Sequence, residues 1–151
     1  MPGEDFLDVS SGAIFTWPVR IYYEDTDAGG VVYHTNYIKF MERARTEFLR
    51  SQGIELDVME REHRILFAIR SLSVEYRKPA RLNELLEVTV DFDAVRSASL
   101  LFSHTVVRDG ELLCEGSVRV ASISADHFRP AAIPDFMQTR LAGLPGLKNG
   151  G

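Results

Sequence analysis

The sequence holds a single cysteine, Cys114, so no disulfide forms within the chain. A reducing compartment fits that usage. No run of about 18 apolar residues occurs, so no membrane-spanning helix and no stable membrane insertion are expected. The start, M-P-G-E-D-F-L-D, lacks the basic and apolar regions of a signal peptide, and a cytoplasmic, soluble protein is the expectation. Basic residues are in deficit: 17 lysines and arginines stand against 22 aspartates and glutamates, a formal charge of −5. Phosphate backbones need a basic face, so nucleic acid is not expected as a partner. Small anionic substrates stay open, because local basic residues suffice for them. Also missing are G-x-S-x-G, a Walker loop and G-x-G-x-x-G, and Gly29-Gly30 alone is a weak phosphate signal. No zinc-like cluster occurs, and Glu24, Asp25 and Asp27 lack the spacing of a calcium loop. A metal on Asp25, Asp27 and His34 therefore has little support, and none is expected.

What is present is an ordinary globular composition. The chain has 151 residues, 45% hydrophobic and 26% charged. That is enough for one domain with its own core. Residues 1–14 read as a flexible N-terminal segment, 15–128 as the main domain, and 129–151 as a Pro-rich tail with a short helix over 135–141. Within the main domain, Val19, Ile21 and Tyr23 alternate with Arg20, Tyr22 and Glu24, the pattern of a half-buried strand. Residues 25–35 break the alternation. A helix then opens near Thr35 or Asn36, either of which is a suitable cap. Tyr37, Phe40, Met41, Ala44, Phe48 and Leu49 form its apolar face, Arg43 and Glu47 pair on its polar side, and Gly53 ends it. A short helix is expected over 57–62. Strand-forming residues fill 64–78, with Arg70 and Ser71 marking a bend. Three further strands follow over 85–94, 100–108 and 111–124. Asp109-Gly110 reads as a tight hairpin turn, because both residues tolerate positive φ. Gly116 reads as a point of curvature. One strand, one long helix and four strands make an α+β fold: a single antiparallel sheet with a helix packed on it.

The functional density lies in Y-Y-E-D-T-D-A-G-G-V-V-Y-H-T-N-Y, residues 22–37. Aspartate is ordinarily ionised at neutral pH, so Asp27 can attack an activated carbonyl or orient a water. An Asx-type turn is the bland alternative for Asp25 or Asp27. The first N–H groups of the helix have no partner within it and form a natural oxyanion hole. His34 can hydrogen-bond the carboxylate, hold a water, or protonate a leaving thiolate; positioning the loop is an equal alternative. Tyr33 and Tyr37 can donate hydrogen bonds or line a pocket, with Tyr37 placed to pack. Cys114 sits among apolar residues and reads as an inert buried thiol.

The same stretch, with F-M-E-R-A-R-T-E-F-L after it and V-E-Y-R-K-P-A-R-L further on, closely resembles the hotdog-fold acyl-CoA thioesterases of the 4-hydroxybenzoyl-CoA thioesterase type. Within them it is most similar to the YbgC-like, Tol–Pal-associated group. The resemblance covers residues 17–123. It implies a five-stranded antiparallel sheet wrapped around one long central helix, and a homodimer or homotetramer. It places the catalytic carboxylate on Asp27 rather than Asp25, and the supporting histidine on His34. The backbone N–H of His34 falls where the family polarises the thioester carbonyl. The turn containing Arg96 and Ser97 falls where relatives meet the nucleotide part of coenzyme A. Arg77, Lys78 and Arg81 are further basic residues that can meet phosphates or simply be solvated. The implied substrate is an acyl-CoA, hydrolysed to a free acid and coenzyme A without a cofactor. Two rivals remain. One is a hotdog hydratase or dehydratase on thioesters, in which aspartate and histidine stand five residues apart rather than the seven found between Asp27 and His34. The other is a protein that docks acyl carrier protein or another partner with little turnover.

Overall fold

A computed structural model describes residues 13–144. Most of the N-terminal segment (1–12) and the end of the Pro-rich tail (145–151) lie outside the described residues. The strands are β1 (Phe15–Arg20), β2 (Ile65–Tyr76), β3 (Leu85–Val95), β4 (Ser99–Arg108) and β5 (Glu111–Ser124). The helices are α1 (His34–Ser51), α2 (Leu56–His63) and α3 (Asp135–Ala142). A 3-10 turn, Tyr23–Asp25, follows β1. The five strands form one sheet in the order β1-β3-β4-β5-β2. Among the described residues no helix is long and apolar enough to cross a membrane.

The chain divides into two compact units. The first holds the chain up to Arg45, with Val74–Asp91 and His104–Gly116. Here β1 pairs antiparallel with β3, from Phe15 opposite Val90 to Arg20 opposite Leu85. As an edge strand, β1 tolerates the missing donor of Pro18. Tyr37, Phe40, Met41 and Ala44 are buried at i, i+3, i+4 and i+7, which gives α1 an apolar stripe. Asp109 and Gly110 join β4 to β5 with φ of 49° and 80°, so the two-residue turn has the twist that hairpins favour.

This unit also buries a polar pair. Arg45 Nη1 lies 3.2 Å from His104 Nε2, and His104 Nδ1 lies 3.0 Å from the Thr89 carbonyl. A carbonyl only accepts, so Nδ1 carries the proton and Nε2 is left to accept from Arg45. Burial, and then the Arg45 charge, push His104 down to about 3. Burial lowers Arg45 to about 10, with Glu42 opposing that shift. The ring is thus a neutral hydrogen-bond bridge.

The second unit comprises Thr46–Ser73, Phe92–Ser103 and Ser117 onward. Its core is aromatic and aliphatic. Phe102 meets Phe48 and Phe92 edge-on, with ring centroids 6.2 and 5.1 Å away. Ile133, Met137 and Leu141 are buried as well, so part of the tail is core. Gly53, at φ 78°, ends α1: its N–H donates to the Arg50 carbonyl, and the Ile54 N–H to that of Leu49. That double bond with an apolar Leu49–Ile54 contact position is a Schellman cap, and only glycine adopts the left-handed turn without strain.

Three local expectations differ from the structure. α1 begins at His34, ahead of Thr35 and Asn36. The Asn36 amide turns back to donate to the Asp25 carbonyl instead of capping the helix. Glu47 pairs with Arg50 at 2.7 Å rather than with Arg43. β2 runs unbroken through Arg70 and Ser71. It is an edge strand with Ile69 and Leu72 exposed, and such a strand places polar residues on both faces without bending.

Candidate active site

Asp25 and Asp27 do different work in the loop between β1 and α1. Asp25 holds the frame. Its Oδ2 accepts from the Tyr22 N–H at 2.8 Å, and its carbonyl accepts from the Tyr33 N–H and the Asn36 amide, both at 2.9 Å. Thr26 bridges Val32 across the loop, and the Asp27 N–H donates to the Val31 carbonyl at 2.8 Å. The Gly30 N–H returns to the Asp27 carbonyl at 3.0 Å, and Gly30 takes a φ of 81°. Asp27 Oδ1 accepts from the Gly29 N–H at 2.8 Å. Asp27 Oδ2 has no hydrogen bond among the described residues, and the side chain is exposed. The turn-capping and reactive readings of Asp27 are thus compatible: one oxygen fixes the carboxylate and the other faces outward. Gly29 makes room for this, since a Cβ there would stand 3.2 Å from Oδ1.

The helix start supplies donors. His34 and Thr35 are its first residues, and their backbone N–H groups have no partner among the described residues. Such groups carry the positive end of the helix dipole. The exposed His34 ring lies 4.6 Å from Tyr33 and 6.2 Å, edge-on, from Tyr76. Val32, His34, Tyr37, Tyr76 and Pro79 line a cavity of about 260 Å³, with Arg77 and Lys78 also on its wall. Tyr37 gives that cavity a ring only. It is 3% exposed, its oxygen accepts from the Ala80 N–H at 3.0 Å, and burial raises its pKa above the ordinary phenol value.

The basic residues of V-E-Y-R-K-P-A-R-L are mostly spoken for. Arg77 pairs with Glu115, and Lys78 with Glu111 at 2.5 Å. Arg108 joins Glu84 and Glu111 at 2.8 and 2.6 Å. The Arg81 side chain has no such partner among the described residues. Burial pushes the Cys114 thiol up to about 12, which keeps it protonated and unreactive.

The model of the thioesterase-like superfamily matches residues 21–141. The chain belongs to this superfamily. Over 122 residues it is 44% identical to the acyl-CoA thioester hydrolase YbgC of Escherichia coli, covering 80% of this chain and 90% of that one. A hypothetical protein of Thermus thermophilus has a similar structure: TM-score 0.79, 32% identity, 85% of this chain and 97% of that one. A 1,4-dihydroxy-2-naphthoyl-CoA thioesterase from Synechocystis superposes with TM-score 0.80 at 20% identity, covering 86% of this chain and 96% of that one. The fold is the hotdog fold, a five-stranded antiparallel sheet packed with a long helix, and the superfamily's chemistry is thioester hydrolysis.

Of the residues expected in the thioesterase site, Asp27, Tyr33, His34 and Tyr37 fall on one loop and the helix start it leads into. Arg96 and Ser97 lie in the turn between β3 and β4, in the second unit. There the Arg96 N–H donates to the Ser99 carbonyl at 2.9 Å and the Ser97 carbonyl accepts from Ile133 at 2.8 Å. Arg96 Nε is buried without a partner among the described residues. Sequence reasoning missed Tyr76, whose hydroxyl donates to the His34 carbonyl at 2.8 Å. In the sequence it is one more aromatic strand former, and nothing local to it signals a contact 42 residues away.

Proposed function

We propose that this thioesterase hydrolyses acyl-CoA substrates, with Asp27 as the nucleophile or as the group that orients the attacking water. The observation that carries the reading is the Asp27 carboxylate itself. One oxygen is held by the Gly29 N–H; the other has no partner among the described residues, nor have the N–H groups of His34 and Thr35 to which the loop leads. Carboxylate or carboxylate-held water attacks the thioester carbonyl, and the helix start takes up the negative charge that develops on its oxygen. One such donor is worth about 3–4 kcal/mol in the transition state. Collapse expels the coenzyme A thiolate, which His34 protonates. If Asp27 attacks directly, water then cleaves the resulting anhydride, releasing the acid and restoring the carboxylate. Acyl-CoA as carrier is supported by the Escherichia coli relative, an acyl-CoA thioester hydrolase. Tyr33 and Tyr37 serve the acyl side, and Arg96 and Ser97 the nucleotide side. The enzyme acts in the cytoplasm, and acyl carrier protein is a second carrier for the same acyl groups.

The working form is a dimer, or a tetramer built from dimers. β2 supports this: it is a 12-residue edge strand with Ile69 52% and Leu72 39% exposed, a surface that pairs readily with another strand. The test is thiol release from a panel of acyl-CoAs by wild type and Asp27→Asn. No release from any substrate by the wild type sinks the proposal, and full activity of Asp27→Asn sinks the role of Asp27.

A further inference from the structure

The start of α1 is tied to the end of β2 and the segment after it by two tyrosines, Tyr37 in the helix and Tyr76 outside it. The Tyr76 hydroxyl, at the end of β2, donates to the His34 carbonyl at 2.8 Å. From the helix side, the Tyr37 oxygen accepts from the Ala80 N–H at 3.0 Å, and the Ala80 carbonyl accepts from the Val32 N–H at 2.9 Å. The Tyr76 ring packs edge-on against Tyr37, centroids 5.6 Å apart, and against His34 at 6.2 Å. Segments 32–37 and 76–80 are therefore tied at three points, each by a separate hydrogen bond.

One of these ties acts on a particular peptide unit. The His34 carbonyl and the Thr35 N–H belong to the same planar trans group, so they point in opposite directions and turn together. The Thr35 N–H has no acceptor among the described residues. A hydrogen bond given to the carbonyl fixes the direction of that N–H. It also draws electron density toward oxygen, which makes the N–H a better donor. Helix ends fray, and an unbraced first peptide rocks. Here it is held by a side chain whose ring is packed on two neighbours.

We infer that Tyr76 is a positioning residue, which orients and polarises the Thr35 N–H as a donor to the charge developing on the substrate. The inference deepens the thioesterase reading above and rests on it. Tyr76 touches no reacting atom. Its effect passes through one peptide group, so it falls on kcat and leaves KM near its wild-type value.

The experiment compares wild type, Tyr76→Phe and Asp27→Asn. Tyr76→Phe keeps the ring contacts and removes only the hydroxyl. Using a substrate that the wild type cleaves, kcat of Tyr76→Phe is expected to fall roughly three- to tenfold with KM within about twofold. The NMR order parameter of the Thr35 amide should fall while that of Met41, deeper in α1, holds. Wild-type kcat in Tyr76→Phe overturns the inference, and so does an unchanged order parameter at Thr35. Equal falls at Thr35 and Met41 overturn it too, since that marks general loosening. If wild type and Asp27→Asn cleave nothing, the functional reading fails instead. The Thr35 order parameter still decides whether Tyr76 holds that amide.

Discussion

His34 and His104 belong to the same compact unit and have opposite surroundings. His34 opens α1 at an exposed turn, beside Tyr33 and Tyr76, with no hydrogen bond to its ring among the described residues. His104 is 1% exposed, donates to the Thr89 carbonyl and accepts from Arg45. Around each histidine, the neighbours follow suit. On the loop that leads to His34, Asp27 keeps one oxygen without a partner among the described residues, and the first helical N–H groups likewise have none there. Near His104, the ring, the Thr89 carbonyl and the Arg45 guanidinium meet in a closed chain. A residue whose polar atoms are all engaged can hold the fold, but it has nothing left with which to meet a substrate. Exposed, unspent hydrogen-bonding capacity on a rigid frame is what separates the proposed working region from the structural one.

The strongest way to break this contrast is to remove the unspent group. Asp27→Asn keeps an Oδ1 for the Gly29 N–H, so the loop should fold as before. The rate of thiol release is expected to fall on the order of 10²–10⁴-fold, with the melting temperature held. Asp25→Asn is the control. Its side chain accepts from the Tyr22 N–H within the frame, so its effect should appear in stability first. Equal rate losses in the two variants would erase the distinction drawn between the two aspartates.

His104→Leu probes the other region. It strips the acceptor from a buried guanidinium, and a cost on the order of 3 kcal/mol is expected for a charged donor left unpaired. Activity per folded molecule should persist. His34→Asn should do the reverse, lowering rate at near-wild-type stability. Denaturant melts and rate measurements on the same preparations decide it; if His104→Leu lost activity while keeping its stability, its structural assignment would be wrong.

pH sharpens the same point. The folded pKa of His104, pushed down to about 3, lies below the value near 6.5 of an unfolded histidine. Between these values the unfolded chain binds a proton that the folded ring does not. Stability from this group is therefore full above pH 6.5 and is lost progressively as pH falls toward 3. The gap in stability between wild type and His104→Leu should narrow across that window, as read by denaturant midpoints at stepped pH. A constant gap would show that His104 does not titrate with unfolding.

Much of this was legible in the sequence, for identifiable reasons. The alternation in β1 and β3, the apolar stripe of α1, the Asp109-Gly110 turn and the Gly53 stop are local signals, each carried by residues within a few positions. The density of aspartate, glycine, histidine and tyrosine over 22–37 marked the candidate site for the same reason. What escaped was non-local. The pairing of Arg45 with His104 spans 59 residues, and that of Tyr76 with the His34 carbonyl spans 42. Both His104 and Tyr76 read as ordinary strand positions until the fold brings their partners to them. Asn36 shows a subtler limit. Its type suits a helix cap, and only the path of the loop turns its amide back onto Asp25.

The smallest effects belong to the two glycines beside Asp27, and they separate rate from stability within one turn. At Gly29 an added Cβ stands 3.2 Å from Asp27 Oδ1, so Gly29→Ala must shift the carboxylate or its own backbone. A several-fold fall in kcat is expected, with little change in melting. At Gly30 nothing lies within 4 Å of an added Cβ, but φ is 81°. Gly30→Ala should therefore cost about 1 kcal/mol in stability through left-handed strain, while Asp27 keeps its place. Measured kcat and melting temperature for both variants test the division. If Gly30→Ala lost as much rate as Gly29→Ala, the turn as a whole would be setting the Asp27 geometry, and the Gly29 N–H contact would lose its special standing.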